Sequence, residues 1–273
     1  MRRPEVAAAL AVLVLAACVP RSPPPDLSLV PGALLEQVRA ASGTVTRVHG
    51  EARLRVESPG ESGGAPAFIA AERPDRLHVE VLDFFGNPSA VLVTSAGRLA
   101  IYDRRSRTFY RGVASAANVA RLVPLPLTPE RLVALLCGAP PLAGEPVSAE
   151  PGKGFVDLVL RDGPRSTDVR VGARAAVERA TYRGGAPEVP DHEVRYGGFV
   201  DLVGGRFPSE VEIAADRPRV RVALGWKEPD PLSPLDQALF RMDPPTGARV
   251  VDLDLAPEPP PPLQLEPPAP RGS

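Results

Sequence analysis

Through the middle of the chain, apolar and charged residues alternate with a period of two. Ala52, Leu54 and Val56 alternate with Glu51, Arg53 and Arg55; Leu77, Val79 and Val81 with Arg76, His78 and Glu80; Val220, Val222, Leu224 and Trp226 with Arg219 and Arg221. Successive side chains of a strand point to opposite faces, so this pattern predicts half-buried antiparallel strands with one dry and one wet face. Further strands are expected over residues 89–94, 99–103, 155–160, 167–171, 177–182, 193–199 and 207–213. Turn dipeptides such as Gly86-Asn87, Gly184-Gly185 and Gly204-Gly205 join them. About ten strands linked by hairpins make one large antiparallel sheet that must curl.

Helical signals are few. Residues 31–41 place Leu34, Leu35, Val38 and Ala41 on one face and stop at Ser42-Gly43. In a second helix Thr128 is the N-cap, Pro129 fits the first helical position, and Gly138 ends a run holding Leu132, Val133, Leu135 and Leu136. The predicted fold is mainly β, a curled antiparallel sheet or incomplete β-barrel closed by a few α-helices. A dry face with so little helix to cover it is expected to leave a concave apolar cavity suited to an acyl chain. Its expected lining is Leu77, Val79, Val81, Val91, Val93, Ile101, Val222, Leu224 and Trp226, with Leu132, Leu135 and Leu136 in the lid.

The two ends of the chain follow other rules. Arg2 and Arg3 precede an apolar run over residues 6–17, shorter than the roughly 20 residues a bilayer span needs and of the length of a secretory h-region. It ends in Leu15-Ala16-Ala17-Cys18, which resembles a bacterial lipobox, whose cysteine is acylated after cleavage in front of it. Residues 1–17 are therefore expected to be a lipoprotein signal peptide, with Cys18 as the lipidated anchor. Val19 follows, where the rule for enterobacterial lipoproteins takes the absence of Asp as release to the outer membrane. The expected location is that membrane, with the domain facing the periplasm. Residues 18–31, with Pro23-Pro24-Pro25, read as a lipidated tether, residues 32–256 as one β domain, and residues 257–273, with proline at every position from 259 to 262, as a disordered tail.

Charge and chemistry narrow the function. With 32 Lys+Arg against 33 Asp+Glu, the chain lacks the basic excess of a nucleic-acid binder. Two cysteines are too few for a disulfide framework or a multi-cysteine metal site. Cys137, left without a partner if Cys18 is acylated, is expected to be a small buried hydrophobe. Gly60-Glu61-Ser62-Gly63-Gly64 matches G-x-S-x-G, with Asp168 and His192 following in hydrolase order. A nucleophile elbow needs a strand before the serine and a helix after it, whereas Ser62 is expected in a Gly/Pro-rich link between strands. His49, His78 and His192 show no metal spacing, and His78, on the polar positions of its strand, is expected in solvent. The expectation is a non-catalytic protein without cofactor or metal.

Several short motifs, in order, resemble the LolA/LolB lipoprotein-sorting superfamily. They are the PDRLHVEV run at 74–81, Phe84-Phe85-Gly86, LAIYD at 99–103, and Phe109-Tyr110-Arg111-Gly112. LPLTPERL at 125–132 with Leu135-Leu136-Cys137-Gly138 is similar to the LolB pattern. Tyr196-Gly197-Gly198-Phe199, Arg206-Phe207-Pro208, Phe240 and Pro244-Pro245-Thr246-Gly247 are similar to related lipoproteins. The resemblance spans about residues 33–255. It implies an incomplete barrel that holds acyl chains without covalent chemistry, in an outer-membrane lipoprotein that receives cargo from a LolA-like periplasmic carrier. It also implies a membrane-insertion loop at Phe84, Phe85 and Gly86, with at least one ring exposed. The chain departs from LolB in its length, an insert over residues 58–66 and the proline tail. Two functions fit: a monomeric outer-membrane lipoprotein binding acyl chains of lipids or lipoproteins for their localisation or insertion, or an envelope scaffold lipoprotein binding a protein partner.

Overall fold

The alternating runs pair into a sheet of fourteen strands among the described residues. A computed structural model describes residues 22–59, 61–120, 127–185, 191–203, 205–217 and 219–255. Helix α1 (Pro31–Ser42) precedes β1 (Arg47–Ser58), β2 (Glu61–Glu72), β3 (Arg76–Leu82), β4 (Pro88–Ser95), β5 (Arg98–Asp103) and β6 (Thr108–Val113). Short helices α2 (Ala116–Ala120) and α3 (Pro129–Leu136) follow. Then come β7 (Glu145–Pro151), β8 (Val156–Asp162), β9 (Arg165–Val171), β10 (Val177–Arg183), β11 (His192–Leu202), β12 (Gly205–Asp216), β13 (Arg219–Trp226) and β14 (Arg249–Asp252). The spatial order is β14-β6-β5-β4-β3-β2-β1-β13-β12-β11-β10-β9-β8-β7. Every neighbouring pair is antiparallel except β14, which runs parallel to β6. β14 and β7 stand at the two edges, so the sheet is not closed into a barrel.

Directly opposed residues of an antiparallel pair point to the same face, so the register sorts the side chains. Tyr110, Ile101, Leu92, Val79 and Ile69 form one row across five strands. Val56, Val222, Ile213, Val194, Ala180, Val169 and Leu158 form another across seven. Both rows lie on one inner face, which α1 and α3 cover. Helix α1 buries Leu34, Leu35 and Val38 in a cluster with β8 to β13. Helix α3 contributes Leu135 to that cluster and Val133 to a second over β1 to β6, and Leu132 packs against both. Each fully buried aliphatic side chain contributes about 1.5–3 kcal/mol.

The predicted signals position α3 as expected. Thr128 caps it, its Oγ1 accepting from the Arg131 N–H at 3.4 Å, and Pro129 occupies the first turn. Gly138 stops it with φ of 70°, and a Cβ there would come within 2.7 Å of Pro208 Cδ. Cys137, beside it, is 2% exposed. Burial pushes its thiol up to about 12.

Three departures from expectation have physical reasons. The stretch around Ser62 is not a Gly/Pro-rich link between strands: Ser62, Gly63, Gly64 and Ala65 pair with Glu57, Val56, Arg55 and Leu54 as the first half of β2. Small residues hide strand propensity, and β1 supplies the ladder regardless. Ordered structure also begins inside the expected tether. Leu27 joins the core under α1, while the Gln37 side chain accepts from Ser28 N–H and donates to the Asp26 carbonyl. Residues 1–17, Cys18 and the 257–273 tail lie outside the described residues.

The outer face, thirdly, is not wet throughout. After β13 the chain crosses back over it, and Leu235 and Phe240 pack on Ala70 and Phe68. Asp230 anchors this strap through paired backbone bonds with His49 of 2.8 and 3.1 Å. His78, expected in solvent, is 7% exposed beneath the strap. Its Nδ1 lies 2.7 Å from the Leu239 carbonyl and its Nε2 3.0 Å from Glu80 Oε1.

Two outcomes follow from this packing. Phe240→Ala is expected to cost about 3 kcal/mol in urea unfolding, whereas Ser62→Ala on the exposed face of β2 should stay within about 0.5 kcal/mol. Cys137 should resist alkylation in the folded chain at pH 8 and react promptly in urea. The raised thiol means that its contribution to stability is complete below the usual thiol value near 9 and is lost as pH climbs towards 12. Equal alkylation rates folded and unfolded would contradict its burial.

Candidate functional site

The candidate site is the inner face and the hairpin tip at one end of it. Leu77, Val79, Val81, Ile101, Val222, Leu224 and Trp226 all share that face by register. Leu132, Leu135 and Leu136 of α3 pack against it. Val91 and Val93 do not join them. They oppose Glu80 and His78 on the outer face, and Ala90, Leu92 and Thr94 point inward instead. The run Ala90-Val91-Leu92-Val93 is apolar at every position, so alternation alone leaves its phase open. Val93 is nonetheless buried, because the strap's Gln237–Phe240 turn covers β4.

Two polar atoms on this face lack partners. Tyr196 and Trp226 are both buried, and neither Tyr196 Oη nor Trp226 Nε1 has a hydrogen-bond partner among the described residues. Tyr196 lies in register with Val211, Leu224 and Leu54, and Trp226 opposes Ala52 and packs near Phe207 with ring centroids 6.4 Å apart. Burial drives the Tyr196 hydroxyl far above its ordinary pKa, so it remains a donor. Leaving a buried donor unpaired costs about 1–3 kcal/mol. Tyr182, on the same face, shows the usual solution: its hydroxyl donates to the Pro141 carbonyl at 3.1 Å, and its ring stacks on His192 at 4.6 Å. Sequence reasoning missed Tyr196. Its inward position in the β11 alternation was a signal, but the missing partner is a tertiary fact.

The β3–β4 hairpin exposes both of its phenylalanines, Phe84 at 81% and Phe85 at 84%. They belong to a turn rather than a strand, so neither is directed inward. Asp83 organises the turn: its Oδ1 accepts from Phe85 N–H at 2.9 Å and Asn87 N–H at 2.8 Å, and its carbonyl accepts from Gly86 N–H at 3.0 Å. Gly86 takes φ of 81°, which a glycine adopts without strain. The rings meet edge to face at 5.6 Å. An ordered turn thus holds two adjacent aromatic rings in water, a contiguous apolar patch of the kind that marks an interaction site.

The hydrolase constellation does not assemble. Ser62 sits within β2, without the strand-to-helix turn that an elbow needs. Register puts Ser62 and Asp168 on the outer face and His192 on the inner one, and Asp168 is ion-paired with Arg183. No cluster of three metal-ligating side chains occurs among the described residues. A cleft of about 440 Å³ opens on the outer face, floored by Gly197, Ala223 and Gly225 and edged by Arg53, Arg55, Arg195, Glu210 and Glu212.

No protein family and no curated protein matches the sequence. Among solved structures, the chain is similar to a LolA superfamily protein from Nitrosomonas europaea, at 11% identity and a TM-score of 0.53, over 79% of this chain and 99% of the other. It is equally similar to a putative outer membrane lipoprotein-sorting protein domain from Vibrio parahaemolyticus, at 10% identity and a TM-score of 0.53, over 76% and 94%. At such identities the likeness is one of fold. The open, curled sheet with helices on its concave face is a fold this chain shares with those two structures.

Proposed function

We propose that this chain is a lipid-anchored carrier that binds acyl chains of lipids or lipoproteins along the inner face of its sheet and passes them to a membrane. The observation that carries this reading is the pair of buried, unpartnered donors set in a largely apolar face. An ester or amide carbonyl at the head of a hydrocarbon tail offers what that face lacks, an acceptor joined to apolar chain. Because α1 and α3 cover the face, a guest enters as α3 lifts. Eight residues are too few to hold a helix without tertiary contacts, so α3 depends on the face it covers.

The Phe84-Phe85 hairpin is the membrane contact in this account. Moving each ring from water into hydrocarbon is worth about 2 kcal/mol. Acylated Cys18 holds the chain at the outer membrane with its domain in the periplasm, each buried methylene adding about 0.8 kcal/mol. A soluble carrier of LolA type supplies the cargo. The charged outer-face cleft favours a second reading, a scaffold that docks a protein partner there.

Two substitutions test the carrier. Tyr196→Phe removes an unpaired donor, so it should leave the empty protein as stable or about 1–3 kcal/mol more stable while weakening retention of a bound acylated lipid several-fold in native mass spectrometry. Unchanged retention would take Tyr196 out of the site. Phe84→Glu with Phe85→Glu should cut transfer of an acylated lipoprotein into liposomes at least about tenfold, the equivalent of 1.4 kcal/mol, with the unfolding midpoint unaltered. Full transfer by that variant would remove the hairpin from the mechanism.

A further inference from the structure

The β5–β6 turn, Arg104-Arg105-Ser106-Arg107, is the neighbour of the Phe84-Phe85 hairpin. β3 is antiparallel to β4, and β4 to β5, so the C-terminal ends of β3 and β5 emerge at the same end of the sheet. Two inter-strand spacings put the turns about 10 Å apart. They are also tied directly, Arg104 N–H donating to the Ser89 carbonyl at the root of β4 at 3.0 Å.

Both turns are built alike. As Asp83 does in the first, Asp103 turns its carboxylate inward, accepting from Arg105 N–H at 2.9 Å and the Ser106 hydroxyl at 2.7 Å. The acids are used by the backbone, and what projects is aromatic from one turn and cationic from the other. Arg104 and Arg107 are exposed and make no ion pair among the described residues. Arg107 holds φ of 52°, in the left-handed region.

We infer that the two turns form one docking edge for an anionic phospholipid surface, with Arg104 and Arg107 on lipid phosphates while the Phe84 and Phe85 rings enter the acyl region beside them. The charge complement selects a membrane over an apolar protein partner. A groove-binding peptide would need concave walls, and two convex turns offer none. An interface embeds apolar groups about 5–10 Å deep, and a lateral offset of about 10 Å leaves guanidinium groups at headgroup level beside them. This inference rests on the membrane role proposed for the hairpin and adds the lipid class it prefers.

Flotation with vesicles tests it, using the processed chain without its acyl group, Cys18→Ser and lacking residues 1–17, so that anchoring does not mask the contact. Vesicles containing phosphatidylglycerol should bind more tightly than vesicles of phosphatidylcholine alone, and the difference should collapse at high salt. Arg104→Gln with Arg107→Gln should weaken binding to the anionic vesicles about fivefold per arginine, about 25-fold for the pair, without changing the unfolding midpoint. Arg104→Lys with Arg107→Lys should retain it. Binding that ignores lipid charge but is lost in Phe84→Glu with Phe85→Glu overturns the arginine role and leaves the hairpin's intact. Binding to neither vesicle overturns both.

Discussion

The whole structure depends on drying one face of a very wide sheet with very little helix. Among the described residues fourteen strands spaced about 4.8 Å apart would put the two edge strands about 62 Å apart if laid flat. Helices of 12 and 8 residues are only about 18 and 12 Å long. No placement of α1 and α3 covers such a width, so the sheet must curl until its inner rows meet the helices and one another. The two core clusters record that solution, and Leu132 of α3 touches both. This small roof rests directly on the apolar wall, with Leu34, Val38, Val133 and Leu135 fully buried against it.

The same economy explains the outer face. Over β2 to β4 the outer positions include Phe68, Ala70 and Val93 as well as charges, and the strap ending at Phe240 covers them. His78 loses water there but gains a carbonyl and a carboxylate, so its burial is satisfied. Tyr196 and Trp226 receive no such compensation on the inner face. On the outer face His49 Nδ1 is likewise buried without a partner, so unmet polar atoms occur on both sides of the sheet.

Much of the fold is legible in the sequence because period-two alternation is a direct consequence of strand geometry. The expected strands around Leu54, Leu77, Val169, Val194 and Leu224 all form, and the Thr128-Pro129 start and Gly138 stop bracket α3. Alternation fails where composition erases it. Gly63, Gly64 and Ala65 carry too little side chain to signal a strand, and Ala90 to Val93 are apolar at every position, so Val91 and Val93 were expected on the wrong face. It also cannot reveal contacts made by distant segments. The parallel addition of β14 to β6, the strap over His78 and the docking of Leu27 beneath α1 all depend on tertiary neighbours. At the site, the Phe84-Phe85-Gly86 tip was readable from its turn residues, whereas the unpaired state of Tyr196 was not.

Trp226 is the only tryptophan in the chain and lies on the inner face. It therefore reports on the central claim without any added label. Phospholipid brominated along its acyl chain should quench Trp226 fluorescence saturably, and the unbrominated lipid should compete the quenching away. Lipid that binds the protein yet leaves Trp226 unquenched would contradict an acyl chain on the inner face.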